Sequence, residues 1–256
     1  MAVISNAMAI GSFKMLDIVN PRDTNSIQFR DKKDIGEARR RLSINPAQGT
    51  IEYNSIMSVG ENRKIPTGVP TEEEGIKLAW DYLFRLGIDR SQAMQPHAHV
   101  DMESMSKKGV IDWEGPYKCT VGVSRCIDGA RAYGGNFHIV FRRHAEVESI
   151  DFSWPDLVPY EAHPIASESE MINYIKNGQA VLPVPEFHLE RLAELKRLTV
   201  TKITPYYFFE PANDGLFHPF AELEVTADLG KKNYMGEKEI GFILRCPILS
   251  TNGINP

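Results

Sequence analysis

TEEEGIKLAWDYLFRLGI, residues 71–88, and SESEMINYIKNG, residues 167–178, share one helix grammar, and the reading of the whole chain turns on them. In each, a hydroxyl residue stands three before a glutamate, Thr71 with Glu74 and Ser167 with Glu170. Each side chain of such a pair can satisfy a backbone N–H of the other residue at the start of a helix. Each segment then reaches a glycine, Gly87 or Gly178, which can take the left-handed conformation that closes a helix at little steric cost. In the first segment Ile76, Ala79, Trp80, Leu83 and Leu86 recur at steps of three and four, which makes one face apolar and in need of cover.

Strand-like sequence follows both helices. After the first, Ala93 to Met105 alternates apolar and polar residues, and Tyr117–Cys126, Asn136–Arg142 and Glu146–Trp154 continue the period of two. Tyr133-Gly134-Gly135-Asn136 and Arg143-His144-Ala145 read as the turns between them. After the second helix, Pro183 and Pro185 precede an amphipathic stretch, Glu186–Leu198, read as a further helix. Thr199–Phe209, Pro219–Ala227 and Glu237–Ile248 then read as strands, with a polar hairpin loop near Gly230 and Asn233. Ahead of the first helix, Asp34–Leu42 suits a short helix and Thr50–Val59 a strand, and Pro66, Gly68 and Pro70 punctuate the approach.

The expected fold is α+β, built of two tandem units in which a helix packs on a curled antiparallel β-sheet. The units span 70–160 and 161–256, and 1–69 forms an irregular N-terminal segment.

Composition narrows the function. With 256 residues, 42% hydrophobic and 25% charged, the chain has ample material for a core. A net charge of -5 spread along the sequence leaves no basic footprint for nucleic acid. No run approaches the roughly 18 apolar residues of a membrane span, and the opening stretch lacks the basic region and cleavage site of a signal peptide. Three cysteines, Cys119, Cys126 and Cys246, are too few for a disulfide framework, which leaves either one bridge, Cys119 to Cys126, or three thiols.

TEEEGIKLAWDYLFRLGI, the stretch from Tyr133 to Ile175 and FHPFAELEVTADL at 217–229 resemble the PepSY-like and YycI-like extracytoplasmic domains of bacteria and archaea. That resemblance implies a capped helix before a curled antiparallel sheet, often in tandem. It also implies an inhibitory, regulatory or protein-binding role at the cell envelope, without a catalytic centre.

The sharpest chemical constellation is PHAHVDME, residues 96–103. On an extended strand His97, His99, Asp101 and Glu103 share one face, with neighbouring Cα atoms about 6–7 Å apart. His97, His99 and Asp101 could ligate a divalent metal, with Glu103 as a base for water activated on it; the plainer reading is a strand whose polar face is solvated. A third histidine close in space, His138 or His218, would favour the metal. Arg39-Arg40-Arg41-Leu42-Ser43 matches a basophilic kinase site, although short basic motifs arise often by chance and a solvated helix face is the plainer reading. No serine sits in a nucleophile elbow and no Gly-rich loop precedes a helix, so neither nucleophilic catalysis nor a nucleotide cofactor is indicated. The aromatic group Tyr206, Tyr207, Phe208, Phe209, Phe217 and Phe220 reads as core between helix and sheet or as the lining of a peptide groove. The leading expectation is a non-catalytic binding or regulatory module for a protein or peptide partner. A metal-assisted hydrolase or small-molecule enzyme at the His97/His99 strand is the alternative, and no cofactor other than a divalent metal is expected.

Overall fold

The structure, a computed structural model, describes residues 17–19, 26–30, 39–56, 66–107, 109–157, 164–180, 197–209, 217–228, 230, 236 and 238–249. In chain order the elements are β1 (Asp17–Val19), β2 (Ile27–Arg30), β3 (Arg39–Asn45), β4 (Thr50–Ile56), α1 (Glu72–Arg85), β5 (His97–Lys107), β6 (Val110–Ile127) and β7 (Ala130–Phe141). Then come β8 (Val147–Ser153), α2 (Glu168–Lys176), β9 (Arg197–Phe209), β10 (Phe217–Asp228) and β11 (Glu239–Pro247).

These residues divide into two compact units. The first takes the described residues up to Gly129 together with Gly134–Leu157; the second takes Ala130–Tyr133 and the described residues from Pro164 onward. In the first unit the strands run β1-β2-β3-β4-β8-β7, and β7 also pairs with β6, which pairs with β5. In the second, Arg131–Tyr133 at the start of β7 lie parallel to Tyr206–Phe208 of β9, and β10 joins β9 to β11 in antiparallel register.

The expectation of two units, each a helix on its own antiparallel sheet, is therefore corrected. The eleven strands of the described residues fall in one hydrogen-bonded order, and that order is mixed because β7 and β9 are parallel. A period of two tells which residues face a core but not which strand lies alongside, so sequence alternation could not reveal this pairing.

Local chemistry explains where the elements stop and start. Both capping boxes form: Thr71 and Ser167 accept from the backbone of Glu74 and Glu170, whose carboxylates accept from the cap backbone in return. The β6–β7 hairpin turns at Asp128-Gly129, both with positive φ (49° and 80°), the arrangement a two-residue type I′ loop requires. Tyr133-Gly134-Gly135-Asn136, read above as that turn, lies inside β7. Gly135 is needed there for close approach, since a Cβ would stand 2.7 Å from Cβ of Arg125. Arg125 itself is buried, donates to the Pro155 carbonyl and stacks over Trp154.

Residues 39–42 form strand and not helix, because pairing with β2 and β4 buries Leu42 and Ile44 on alternate positions. In the stretch 186–198 the residues 197 and 198 open β9, and 186–196 lie outside the described residues.

The first core is a continuous layer: Leu42 and Ile44, Ile51 and Tyr53, Ile150 and Phe152, then Phe137, Ile139 and Phe141, and finally Cys119, Val121 and Val123. The Ala79, Trp80, Leu83 and Leu86 face of α1 covers part of it, lying against β5 and β6. Gly75 lets the helix settle, with Cys119 and Val121 directly beneath it. The second core gathers Ala221, Leu223, Val225, Leu244 and Cys246 under Tyr174 of α2. The Tyr174 hydroxyl donates to the Leu249 carbonyl at 2.8 Å.

Candidate functional site

Among the described residues β5 is an edge strand of the first unit, hydrogen-bonded to β6 alone. Pro96 before it is buried, whereas His97 and His99 are exposed. His99 and Asp101 meet, Nε2 to Oδ1 at 3.2 Å, and the other Asp101 oxygen faces Lys118 Nζ at 3.4 Å. Beyond Asp101 the register shifts by one residue, because β6 bulges at Tyr117 while β5 runs on without a break through Met102 and Glu103. Among the described residues no group of three or more His, Cys, Asp or Glu is arranged to hold a metal ion.

His97 meets a different residue. Its ring stands 6.5 Å, centroid to centroid, from that of His138 on β7, nearly edge-on. Between them on β6 lies Gly122, opposite His97 in register. A Cβ at Gly122 would lie 2.5 Å from Cε1 and 2.6 Å from Nε2 of His97, and 3.4 Å from Cε1 of His138. The two imidazoles thus close over a slot that only glycine leaves open. Register extends the row: His138 pairs with Asp151, Asp151 with Glu52 and Glu52 with Ser43, along the face opposite the apolar core. Sequence spacing could name His138 as a candidate third histidine but could not say which of His97 and His99 it would meet.

In the second unit, β9 presents a long edge. Arg197–Pro205 bond to β10 on one side, and among the described residues β7 pairs with the other side at Tyr206–Phe208 alone. Thr199, Val200, Thr201, Lys202, Ile203 and Thr204 are all exposed, Ile203 by 53%. The residue pairing skips Thr201, whose hydroxyl donates to the Glu224 carbonyl, and Lys202 pairs with the Glu224 carboxylate at 2.8 Å.

The aromatic group divides. Tyr206 is buried, stacked on Phe220 and edge-on to Tyr133, while Phe208 is partly exposed. Tyr133 donates to Glu222 at 3.2 Å, and the Arg245 guanidinium lies over both tyrosines. Burial pushes the Tyr206 hydroxyl up to about 12. This polar–aromatic cluster joins strands distant in sequence, and no local motif announces it.

Cys119 and Cys246 are buried thiols and Cys126 a half-buried one, all free. Cys119 and Cys126 sit on one strand, so their Cα atoms are about 23 Å apart, far beyond the reach of a disulfide. Burial raises the Cys119 thiol, helped by Glu72, and pushes Cys246 to about 11, so both stay protonated and poorly nucleophilic near neutrality. Ser43 of the basic motif is half-buried on β3, flanked by β2 and β4, where a kinase cannot take the segment as an extended substrate.

No family model matches the sequence, and no curated protein matches it either. Among solved structures the chain is similar to an uncharacterized protein from Eubacterium rectale, at 10% identity and a TM-score of 0.42, over 95% of this chain and 76% of that one. It is also similar to the YpeB C-terminal domain of Bacillus megaterium, at 10% identity and a TM-score of 0.34, over 97% and 96% of the two chains. Likeness of this degree assigns neither family nor role, and the PepSY-like and YycI-like resemblance rests on its residue patterns. No helix among the described residues is long and apolar enough to cross a membrane.

Proposed function

We propose that the protein is a non-catalytic binding or regulatory module that recognises a protein or peptide partner by taking an extended segment of it alongside β9. The observation that carries this reading is the β9 edge. From Arg197 to Thr204 the backbone bonds to β10, and among the described residues no strand pairs with its other side. An extended peptide laid there gains main-chain hydrogen bonds along its length, and side-chain contacts set its specificity. Val200 and Ile203 offer exposed apolar area for those contacts, while Thr199 and Thr204 offer hydroxyls. The irregularity at Thr201 twists the edge, which disfavours indiscriminate pairing and favours a guest shaped to it.

The test is selection from a displayed library of random peptides of about a dozen residues, the length an extended edge can accommodate. The binding position is then mapped by backbone amide shifts. Selected peptides should perturb the amides of Arg197–Thr204, and Ile203→Lys should weaken them by about tenfold or more. Binders that map elsewhere, or that ignore both Ile203→Lys and Val200→Lys, would remove the proposal.

A further inference from the structure

We infer that His97 and His138, meeting over Gly122, form a two-imidazole site for a divalent first-row transition metal of the zinc class. β5 and β7 flank β6, so their backbones lie about 10 Å apart. Two histidines on such strands converge only if the strand between them raises nothing, and Gly122 is the residue at that point. With N–Zn bonds of about 2.0–2.1 Å, two rings sharing one ion stand about 5–6.5 Å apart between centroids, depending on the angle at the metal. The observed separation is 6.5 Å, within reach of small rotations of two exposed side chains.

The surroundings suit a cation. Asp151 stands opposite His138 and Glu52 opposite Asp151 on the same exposed face. Asp101, by contrast, is engaged on both oxygens, by His99 on one and by the Lys118 ammonium on the other. The site therefore differs from one built on His97, His99 and Asp101. With no third protein ligand arranged among the described residues, water completes the coordination shell. Nitrogen donors select Zn²⁺, Ni²⁺ or Cu²⁺ over Mg²⁺ and Ca²⁺, which require oxygen.

The experiment titrates the full chain, purified with chelator and then freed of it, with Zn²⁺ alone. Calorimetry reads the affinity and labelled histidine ring signals read the position. Binding should shift the His97 and His138 rings together. Loss of either ring turns a chelate into a single-point contact, so His97→Ala and His138→Ala should each weaken binding by about a hundredfold. His99→Ala should leave it within about twofold, as expected of a residue outside the ligand set. Gly122→Ala supplies the independent check: it keeps both histidines but puts a methyl where the His97 ring lies, and should weaken Zn²⁺ as much as losing a ring. Far-UV circular dichroism confirms that each variant is folded. Mg²⁺ should not compete. Zinc affinity that survives in the His97→Ala/His138→Ala double variant overturns the inference. So does a larger loss from His99→Ala than from His138→Ala, and so does Gly122→Ala binding as tightly as the parent.

Discussion

Replacing Gly75 by alanine sets two effects of known size against each other. In an exposed helix the change stabilises by about 1 kcal/mol, because glycine has more backbone freedom to lose. Here the new Cβ would stand 2.6 Å from Cys119 Sγ and 3.2 Å from Val121 Cγ2. Ordinary non-bonded contacts are about 3.5–4.0 Å, so the methyl group overlaps the sulfur by about 1 Å. Forcing such volume into a packed core costs about 1–3 kcal/mol. Combining about 2 kcal/mol of overpacking with the helix gain leaves Gly75→Ala destabilised by about 1 kcal/mol. Cys119→Ala alone removes a buried sulfur and costs about 1–2 kcal/mol. In the double variant the methyl group introduced by Gly75→Ala moves into the space the sulfur vacated, so the two losses should largely cancel. The coupling should be about 2 kcal/mol in favour of the pair, well above the scatter of independent sites. Urea unfolding followed by tryptophan fluorescence is the assay, since all three tryptophans, Trp80, Trp113 and Trp154, lie in the first unit. A Gly75→Ala variant that gains the full propensity term, and adds to Cys119→Ala within about 0.5 kcal/mol, would refute the reasoning.

Two further predictions concern the caps and the alkaline limit. Thr71→Ala and Ser167→Ala should each cost about 1 kcal/mol of local stability. The first is read by the same tryptophan signal and the second by amide hydrogen exchange in α2, where unchanged protection would count against the cap's role. The second prediction follows from Tyr206, raised by burial from 10.0 to about 12, and Cys246, raised by burial from 9.0 to about 11. Folding favours the neutral form of both, so their contribution is full below pH 9 and is lost as pH rises through these values. Urea midpoints by circular dichroism should fall between pH 9 and pH 11 and fall less steeply in Cys246→Ala; equal slopes would count against this assignment.

What could be read from sequence was local. Thr71 with Glu74 and Ser167 with Glu170 act within one helical turn, and both boxes form as their spacing requires. Alternation placed β5 to β11 to within several residues, because period two records burial. It failed where burial competes with composition. Arg39-Arg40-Arg41-Leu42 looks helical by its straight-chain residues, but Leu42 and Ile44 belong to a buried layer and make it strand. It failed also at Gly134-Gly135, where glycine serves the close packing of Arg125, while the real turn, Asp128-Gly129, carried the stronger signal. The His97–His138 meeting lay beyond reach for another reason: it depends on which strands neighbour β6, and no residue on β5 encodes that.

β7 contributes Ala130–Tyr133 to the second unit and its remaining residues to the first. A gene fragment cut after Leu157 would discard that contribution and leave Tyr206–Phe208 without the neighbour they have in the intact chain. Bare strand edges of that kind recruit whatever strand is at hand. Copies of such a fragment carry no β7 to lend, so the strand at hand is the same bare β9 edge of another copy, and shortened forms of this protein should tend to pair edge to edge into oligomers. A workable dissection would graft residues 130–133 back through a linker, much as a circular permutation restores a severed neighbour.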